Sequence, residues 1–143
     1  MTAAPKMIFV NLPVRDLKRA TAFHEAIGAT RNPQFSNDIA SCMVFSETIH
    51  VMLLTHDFFR TFTPKQIADT ETSTEVLICL SADSRAAVDA MLEKAAHGGR
   101  IDFRPPQDHG FMYGRSFEDP DGHIFEVMWM DVEAAKTAMT SAA

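Results

Sequence analysis

The sequence predicts an α+β fold in which two βαβββ modules form a half-open sheet around a central cleft. The first observation is that strand-like and helix-like patterns occur twice in the same order, offset by roughly 70 residues, which is typical of an internal repeat. The second is that one such module alone would expose a large apolar face, so two modules are expected to enclose a ligand cleft. We take residues 1–143 as a single domain, with modules at about 7–54 and 75–130 and a linker at about 55–74.

Module one begins with an apolar run at residues 7–14, which predicts a strand. Asp16 is placed to cap a helix whose apolar residues repeat at helical spacing and which ends near Gly28. Three β-like runs follow at about 34–35, 39–45 and 49–54. The linker contains a patch of three aromatic residues, Phe58, Phe59 and Phe62, and then Pro64, which suits a helix start. We expect the aromatic patch to cover the cleft or a subunit interface.

Module two repeats this order. Residues 75–82 predict a strand, and Asp83 or Ser84 is placed to cap a helix that ends at Gly98 and Gly99. Further strands are expected near 100–104, 112–118 and 123–129, and the Ala-rich tail from residue 132 predicts a short surface helix. Because one module alone would leave a large apolar face exposed, we expect one compact domain or two small halves that share a core.

A carboxylate in the last strand is the starting point for function. Residues 119–122, Asp-Pro-Asp-Gly, predict a tight turn between two alternating apolar runs, and therefore a β-hairpin. Alternation in the second strand places Ile124, Glu126 and Met128 on one face and Phe125, Val127 and Trp129 on the other. A carboxylate in such an apolar strand needs a partner, so Glu126 is expected to reach solvent, pair with a cation or metal, or lie in a ligand cavity.

Composition excludes several classes of protein. The formal net charge of -6 argues against a nucleic-acid partner, because phosphate binding needs a basic patch. No segment approaches the ~20 apolar residues of a membrane span, and the N-terminus lacks the apolar core of a secretory signal. Cys42 and Cys79 show no metal-type spacing and are expected to be buried, reduced thiols. We therefore expect a cytoplasmic protein with a small-molecule partner.

Several motifs resemble the vicinal oxygen chelate superfamily, which includes glyoxalase I, extradiol dioxygenases, and fosfomycin-resistance and bleomycin-binding proteins. The resemblance lies in the paired βαβββ modules and in the 119–122 turn followed by Glu126. Residues 9–17, Phe-Val-Asn-Leu-Pro-Val-Arg-Asp-Leu, and residues 105–115, Pro-Pro-Gln-Asp-His-Gly-Phe-Met-Tyr-Gly-Arg, also resemble a bacterial subgroup labelled predicted lactoylglutathione lyase. The similarity runs from residue 7 to residue 131, and it implies the fold described above.

The resemblance also implies a divalent metal, held in family enzymes by side chains from equivalent strands of the two modules. Glu126 matches the carboxylate ligand of the last strand. The other three matching positions fall at Phe9, Met52 and Leu77, none of which can bind a metal. A slip of one residue in the register would exchange Met52 for Val51, and only a larger slip would bring in His50. The expected metal ligands are therefore Glu126 and His50, with His109 as the alternative to His50, and the expected cofactor is Zn²⁺, Mn²⁺, Ni²⁺ or Fe²⁺, or none.

Two alternatives to a metal role stay open for Glu126. It can act as the catalytic general base, or it can pair with Arg115 or another donor and hold the cleft together. Six other side chains are candidates for substrate binding. Four are polar residues on predicted strands, one is the module-one equivalent of Glu126, and one lies in the loop at 104–110. They are Asn11, Met52, Tyr113, Arg115, Ser116 and His109. His123 is expected to be a surface residue beside the turn.

Two functions from different classes follow. One is a metal-assisted lyase, of the lactoylglutathione lyase type, or a dioxygenase that acts on a small oxygen-rich molecule. The other is a metal-free binding or resistance protein that resembles the bleomycin-binding members. The resemblance further implies a homodimer, with modules paired within one chain or between two. The substrate, and any use of glutathione, are not identified by the sequence.

Overall fold

The computed structural model describes residues 3–141, which divide into two compact units between Ser73 and Thr74. We call them unit 1 and unit 2. Each contains one mixed sheet packed against one long helix, so the α+β class and the two βαβββ modules are confirmed. No helix among residues 3–141 is long and apolar enough to cross a membrane.

Unit 1 contains a four-stranded sheet in the order β1-β4-β3-β2. The outer strand β1 runs parallel to β4, and the other pairs are antiparallel. This is the arrangement expected when a helix connects the first strand to the rest of the module. Its elements are β1 (Ile8–Val14), α1 (Leu17–Ala26), β2 (Thr30–Arg31), β3 (Ala40–Val44), β4 (Ile49–Thr55) and the short helix α2 (His56–Phe59).

Unit 2 repeats the order with a sheet of five strands, β5-β9-β8-β6, in which β7 also pairs with β8. Here β5 runs parallel to β9, and β8 and β9 form the predicted hairpin. Its elements are β5 (Leu77–Ser81), α3 (Arg85–Ala95), β6 (Arg100–Ile101), β7 (Gln107–Asp108), β8 (Met112–Glu118), β9 (Ile124–Met130) and α4 (Val132–Ser141). The predicted tail helix is α4.

The two long helices begin at the predicted caps. The Asp16 carboxylate accepts a hydrogen bond from the backbone N–H of Arg19 at 3.1 Å, and the Ser84 hydroxyl accepts one from Ala87 at 3.0 Å. Such caps satisfy N–H groups that have no partner within the helix. After α1 the chain turns at Gly28, whose φ of +116° favours glycine. Both helices are therefore set by local sequence.

Each sheet buries one face beneath its long helix. In unit 1 the Thr21 hydroxyl of α1 lies 2.7 Å from the Ser41 hydroxyl of β3, which identifies the face that packs on the helix. In unit 2 the stacked rings of Phe117 and Phe125 have centroids 5.3 Å apart. The fully buried side chains on these two faces are Leu12, Val14, Met43, Val51, Leu53, Phe117, Phe125 and Val127.

The turn at residues 119–122 has the predicted form. The Asp119 carboxylate accepts hydrogen bonds from the N–H groups of Asp121 and His123, both at 2.9 Å, and Gly122 has a φ of +83°. His123, however, is 1% exposed, and its Nδ1 lies 2.5 Å from Glu75 Oε1. The expected surface position of His123 is therefore wrong, because the Asp119 turn directs the chain inward.

Two local expectations, one in unit 1 and one in the linker, are also wrong. Residues 34–35 belong to a 3₁₀ turn, Pro33–Phe35, because the Asn32 side chain accepts from the N–H of Gln34 and caps it, and the strand is Thr30–Arg31 instead. The linker helix begins at His56 rather than Pro64, because Thr55 Oγ1 accepts from the N–H of Phe58.

Two more differences lie in unit 2. The strand expected at 100–104 is reduced to Arg100–Ile101, and the unexpected strand β7 follows it. Cys79 is exposed, whereas Cys42 is buried as expected. Cys79 lies on β5, which is an edge strand of its sheet and has a neighbour on one side only. A buried position was inferred from its apolar neighbours, which do not reveal which strand is at the edge.

Candidate functional site

The sheet face that points away from the long helix, here called the helix-free face, carries some of the sequence-predicted site residues of each unit. In unit 1, β1 and β4 align Phe9 with His50 and Asn11 with Met52. Cys42 of β3 aligns with the other side of Met52. Three of the predicted site residues, Asn11, His50 and Met52, are thus brought to one face of one sheet by regular strand alternation.

A pocket of about 480 Å³ lies on the helix-free face of unit 1. We call it the aromatic pocket, because four phenylalanine rings contribute to its lining. Phe58 and Phe62 come from the linker segment that follows β4, and their rings meet edge to face at 5.1 Å between centroids. The lining residues are Phe9, Asn11, Gln34, Phe35, Ser36, Asn37, Ala40, Cys42, Met52, Leu54, Phe58 and Phe62.

Two amides of the aromatic pocket are available to a ligand. The side chains of Asn11 and Gln34 are exposed and make no hydrogen bond within the described residues. The side chains of Ser36 and Asn37, by contrast, already accept hydrogen bonds from backbone N–H groups. The Asn37 carbonyl oxygen accepts from Ile39 and Ala40, and the Ser36 hydroxyl accepts from the N–H of Cys42. The pocket therefore combines apolar walls with two free donor–acceptor groups, as small-molecule sites do.

His50 is buried at the edge of this face. Its ring stacks on Phe9 with centroids 4.5 Å apart, and the residue is 7% exposed. Its Nδ1 has no hydrogen-bond partner in the part of the chain that the structure describes. The stacking fixes the orientation of the His50 ring, so that Phe9 covers the imidazole that the sequence predicts as a metal ligand.

A larger groove of about 540 Å³ lies beside α1, but it is chemically different. It is lined by side chains of both charges, among them Lys18, Glu25, Arg31 and Asp38. Its one buried polar side chain, Ser41, is already bonded to Thr21. Mixed solvated charges favour a surface groove, so the aromatic pocket is the stronger candidate for a ligand site.

In unit 2 the helix-free face carries Glu126. The strand register places Cys79 of β5 and Ser116 of β8 directly beside it, on either side. Arg104 Nη2 donates a hydrogen bond to Glu126 Oε2 and forms an ion pair with it. The sequence left the partner of Glu126 open between Arg115 and another donor, and the partner is Arg104, since Arg115 points to the other face.

The thiol and hydroxyl beside Glu126 have contrasting surroundings. Desolvation, and then the negative charge of Glu126, raise the pKa of the Cys79 thiol, so it stays protonated at neutral pH. Ser116 is 1% exposed and its Oγ has no hydrogen-bond partner among the described residues. Cys79 is thus a poor nucleophile and a poor metal ligand in this state.

These donors do not fit a divalent metal. Phe9, Met52 and Leu77 supply no oxygen or nitrogen ligand, and the one carboxylate, Glu126, is engaged by Arg104. Among residues 3–141 no group of three or more His, Cys, Asp or Glu side chains is arranged to hold a metal ion. Zinc and related ions need three or four donors of this kind, which these side chains do not supply.

Tyr113 and Arg115 lie on the helix-facing side of β8, away from Glu126 and Ser116. Arg115 makes a bidentate pair with Asp102, at 3.1 and 2.5 Å, and contacts Asp89 of α3 at 2.9 Å. The Tyr113 hydroxyl donates to Asp89 at 2.7 Å. These contacts lower the pKa of Asp89, through the Tyr113 hydroxyl first and Arg115 second. Tyr113 and Arg115 therefore hold α3 to the sheet through Asp89, and their side chains do not face the candidate ligand sites.

His109 lies in an exposed loop between β7 and β8. Its ring stacks on Phe111 at 6.1 Å between centroids. The neighbouring Asp108 accepts two hydrogen bonds from Arg85, at 2.9 and 2.8 Å, and these bonds first, with the N–H of Gly110 second, lower the pKa of Asp108. The backbone N–H of His109 donates to the carbonyl of Met112 at 2.8 Å, so His109 lies at the end of the β7–β8 pairing.

Three residues of these candidate sites are not predicted by the sequence. Arg104 was passed over as part of a Pro-rich loop, although it is a lone cation directly before Pro105 and Pro106. Gln34 and Phe35 were assigned to a strand. The signal that could have corrected this is the Asn32–Pro33 pair, since Asn before Pro favours a turn.

Comparison with known proteins identifies the family to which the chain is similar. Residues 6–127 match the model of the Glyoxalase/Bleomycin resistance protein/Dioxygenase superfamily. No curated protein matches the chain significantly. A hypothetical protein from S. aureus, SA1046, is 25% identical, with a TM-score of 0.73 over 89% of this chain and 95% of that one.

Two further solved structures share the fold at lower identity. A glyoxalase/bleomycin resistance protein/dioxygenase family enzyme from Burkholderia phytofirmans PsJN is 17% identical, with a TM-score of 0.74 over 88% of this chain and 99% of that one. TnmS3, an antibiotic binding protein from Streptomyces sp. CB03234, is 17% identical, with a TM-score of 0.64 over 92% of this chain and 100% of that one. With two βαβββ modules and a family match over most of its length, this chain belongs to the Glyoxalase/Bleomycin resistance protein/Dioxygenase superfamily.

Proposed function

We propose that this protein binds a neutral aromatic small molecule in the aromatic pocket of unit 1, without a metal ion. The observation that carries the proposal is the pocket's lining, which joins four phenylalanine rings to the free amides of Asn11 and Gln34. Its volume of about 480 Å³ falls in the range of small-molecule sites, about 300–1,000 Å³. Its lining contains no charged side chain, which favours a neutral ligand over an anion or cation.

The physical gain is sufficient for moderate affinity. Burying about 150–200 Å² of aromatic surface contributes about 4–5 kcal/mol, and each hydrogen bond to an amide adds about 1 kcal/mol. Association costs offset part of this, so we expect dissociation constants in the micromolar to millimolar range for simple probes. The likeness to TnmS3, an antibiotic-binding protein, supports binding as a role that this fold can carry.

The alternative is a lyase or dioxygenase that uses Glu126 with His50 and a metal. It is supported by the carboxylate at the family position and by the free Nδ1 of His50, and it is opposed by the donor chemistry described above. The cytoplasmic location and the homodimer expected from the sequence remain part of the proposal, and light scattering of the purified protein tests the dimer.

The test is a ligand titration followed by NMR, with 2-naphthol as the probe. Asn11→Leu keeps the size of the side chain and removes its amide, and we expect it to weaken binding about five-fold, as the loss of one hydrogen bond of about 1 kcal/mol predicts. Met52→Trp should fill the pocket and abolish binding. Gln66→Leu, an exposed site outside the pocket lining, is the matched control and should bind as wild type does.

A saturable response that maps to the pocket and is lost in Met52→Trp supports the proposal. Equal affinity in wild type and Met52→Trp overturns it, provided that urea unfolding shows the variant to be folded. A response confined to other parts of unit 1, such as the charged groove beside α1, also overturns it.

A further inference from the structure

We propose that Arg104 takes the place of a metal ion at Glu126, and that the Arg104–Glu126 pair binds the amide edge of a neutral ligand. The pair lies on the helix-free face of unit 2, where Glu126 occupies the middle of β9. The inference goes beyond the aromatic pocket, because it assigns a separate site to unit 2. It rests on the proposed function only in requiring that no metal occupies Glu126.

The contact leaves part of each group free. Arg104 uses Nη2 on Glu126 Oε2, and its Nε and Nη1 have no partner within the described residues, nor has Glu126 Oε1. The Arg104 side chain is 50% exposed and that of Glu126 is 23% exposed, so a ligand can approach both. The pair therefore presents free N–H donors next to a free carboxylate oxygen.

The position of Arg104 is held from both ends of its loop. Asp102, two residues before it, forms the bidentate pair with Arg115, and Asp108, four residues after it, forms the bidentate pair with Arg85. Pro105 and Pro106 restrict the backbone between these anchors. Planar bidentate pairs add geometric specificity, so the loop delivers Arg104 to Glu126 as a built feature and not as one of many exposed orientations.

The chemistry of the pair selects the ligand class. A guanidinium paired with a carboxylate has no net charge, so it gives no attraction to an anion or a metal cation beyond its local dipole. A carboxamide, lactam or urea has a carbonyl oxygen that accepts from Arg104 and an N–H that donates to Glu126. One group of that type can satisfy both partners at once.

The surroundings support a ligand that also has an apolar part. On the same face, Leu77 of β5 is 58% exposed and Met128 of β9 is half-buried. Ser116 is paired with Glu126 in the strand register, and its buried hydroxyl has no partner among the described residues. This hydroxyl can donate to the Glu126 carboxylate if the carboxylate moves when a ligand binds. An aromatic amide matches this combination of apolar side chains and a donor–acceptor pair.

The experiment is a residue-resolved NMR titration of the full chain with benzamide. N,N-dimethylbenzamide lacks the N–H donors, and benzoate carries a charge, so both serve as matched probes. We expect benzamide to shift the amide signals of Cys79, Ser116 and Glu126, and both other probes to bind there at least ten-fold more weakly. Arg104→Gln and Glu126→Gln, which preserve polar side chains, should each weaken benzamide about ten-fold. Gln66→Leu should leave it unchanged.

Three outcomes overturn the inference. They are equal binding of benzamide and its dimethyl analogue, undiminished binding in both glutamine variants, and stoichiometric line broadening around Glu126 by Mn²⁺ in the wild type. Failure of the aromatic pocket is recognised separately, since it is read from 2-naphthol shifts at Asn11 and Met52. A loss of 2-naphthol binding with benzamide binding intact overturns the proposed function alone, and the reverse result overturns this inference alone.

Discussion

Unit 1 and unit 2 are alike beneath their helices and different on their helix-free faces. Leu53 of β4 and Val127 of β9 are both 0% exposed and pack under equivalent helices. On the opposite faces, unit 1 has a pocket lined by phenylalanine rings and amides, whereas unit 2 has the Arg104–Glu126 ion pair. The comparison teaches that the repeat preserves the core that makes the fold, while chemistry diverges on the side that the fold leaves free.

The largest effect is expected from the two cores. Phe125→Ala removes a ring that stacks on Phe117 and should lower the free energy of unfolding by about 3–5 kcal/mol, and Leu53→Ala in unit 1 should cost about 2–5 kcal/mol. Urea unfolding measures both. A loss below about 1 kcal/mol in either variant would contradict equal packing beneath the two helices.

A smaller effect is expected from the ionic contacts that Arg115 makes in unit 2. Arg115→Met leaves Asp89 and Asp102 without their cation, and the 17% exposure of the Arg115 side chain limits solvent compensation. We expect a loss of about 2 kcal/mol in urea unfolding, below the range for fully buried pairs. Arg19→Met, at an exposed position on α1, is the control and should change stability little. Equal stability of both variants would show that the pair contributes nothing.

The smallest effect is a pH dependence of the free energy of unfolding, which we expect to arise from Asp89 of unit 2. The Tyr113 hydroxyl and then Arg115 hold the pKa of Asp89 below its usual range in the folded protein. A depressed folded pKa stabilises the protein above the unfolded pKa of about 3.9, and this stabilisation disappears as the pH falls through the folded pKa. Asp89→Asn should therefore flatten the decline in urea midpoint below pH 4, relative to wild type.

The control for that pH dependence is Glu93→Gln, which removes an exposed carboxylate of the same helix α3. Its acid decline should follow that of wild type. A decline in Asp89→Asn as steep as in the wild type would place the acid sensitivity elsewhere.

Much of the fold could be predicted from sequence, because its signals are local. Asp16 and Ser84 cap their helices by contacts three residues away, and the 119–122 turn closes through Asp119 alone. The faces of β9 follow from alternation, which places Glu126 opposite to Phe125 and Val127. The short strand β7 could not be predicted, and β6 was predicted too long, because two residues carry no period.

The sites were less predictable, because partners come from distant parts of the chain. Glu126 was recognised as a carboxylate that needs a partner, yet Arg104 lies 22 residues earlier in a loop whose path depends on Arg85 and Arg115. The aromatic pocket brings Phe9, Phe35 and Phe62 together from three separate segments. The roles proposed for Asn11, Met52 and Ser116 stay predictions until binding is measured.

The most direct test of the account is isothermal titration calorimetry of 2-naphthol into protein treated with EDTA, and again after addition of Zn²⁺ or Mn²⁺. Metal-independent binding in the aromatic pocket predicts the same dissociation constant in all three conditions, a weaker one in Asn11→Leu, and no change in Glu126→Ala. Binding that appears only with added metal and is lost in Glu126→Ala would contradict the account and establish a metal-dependent site.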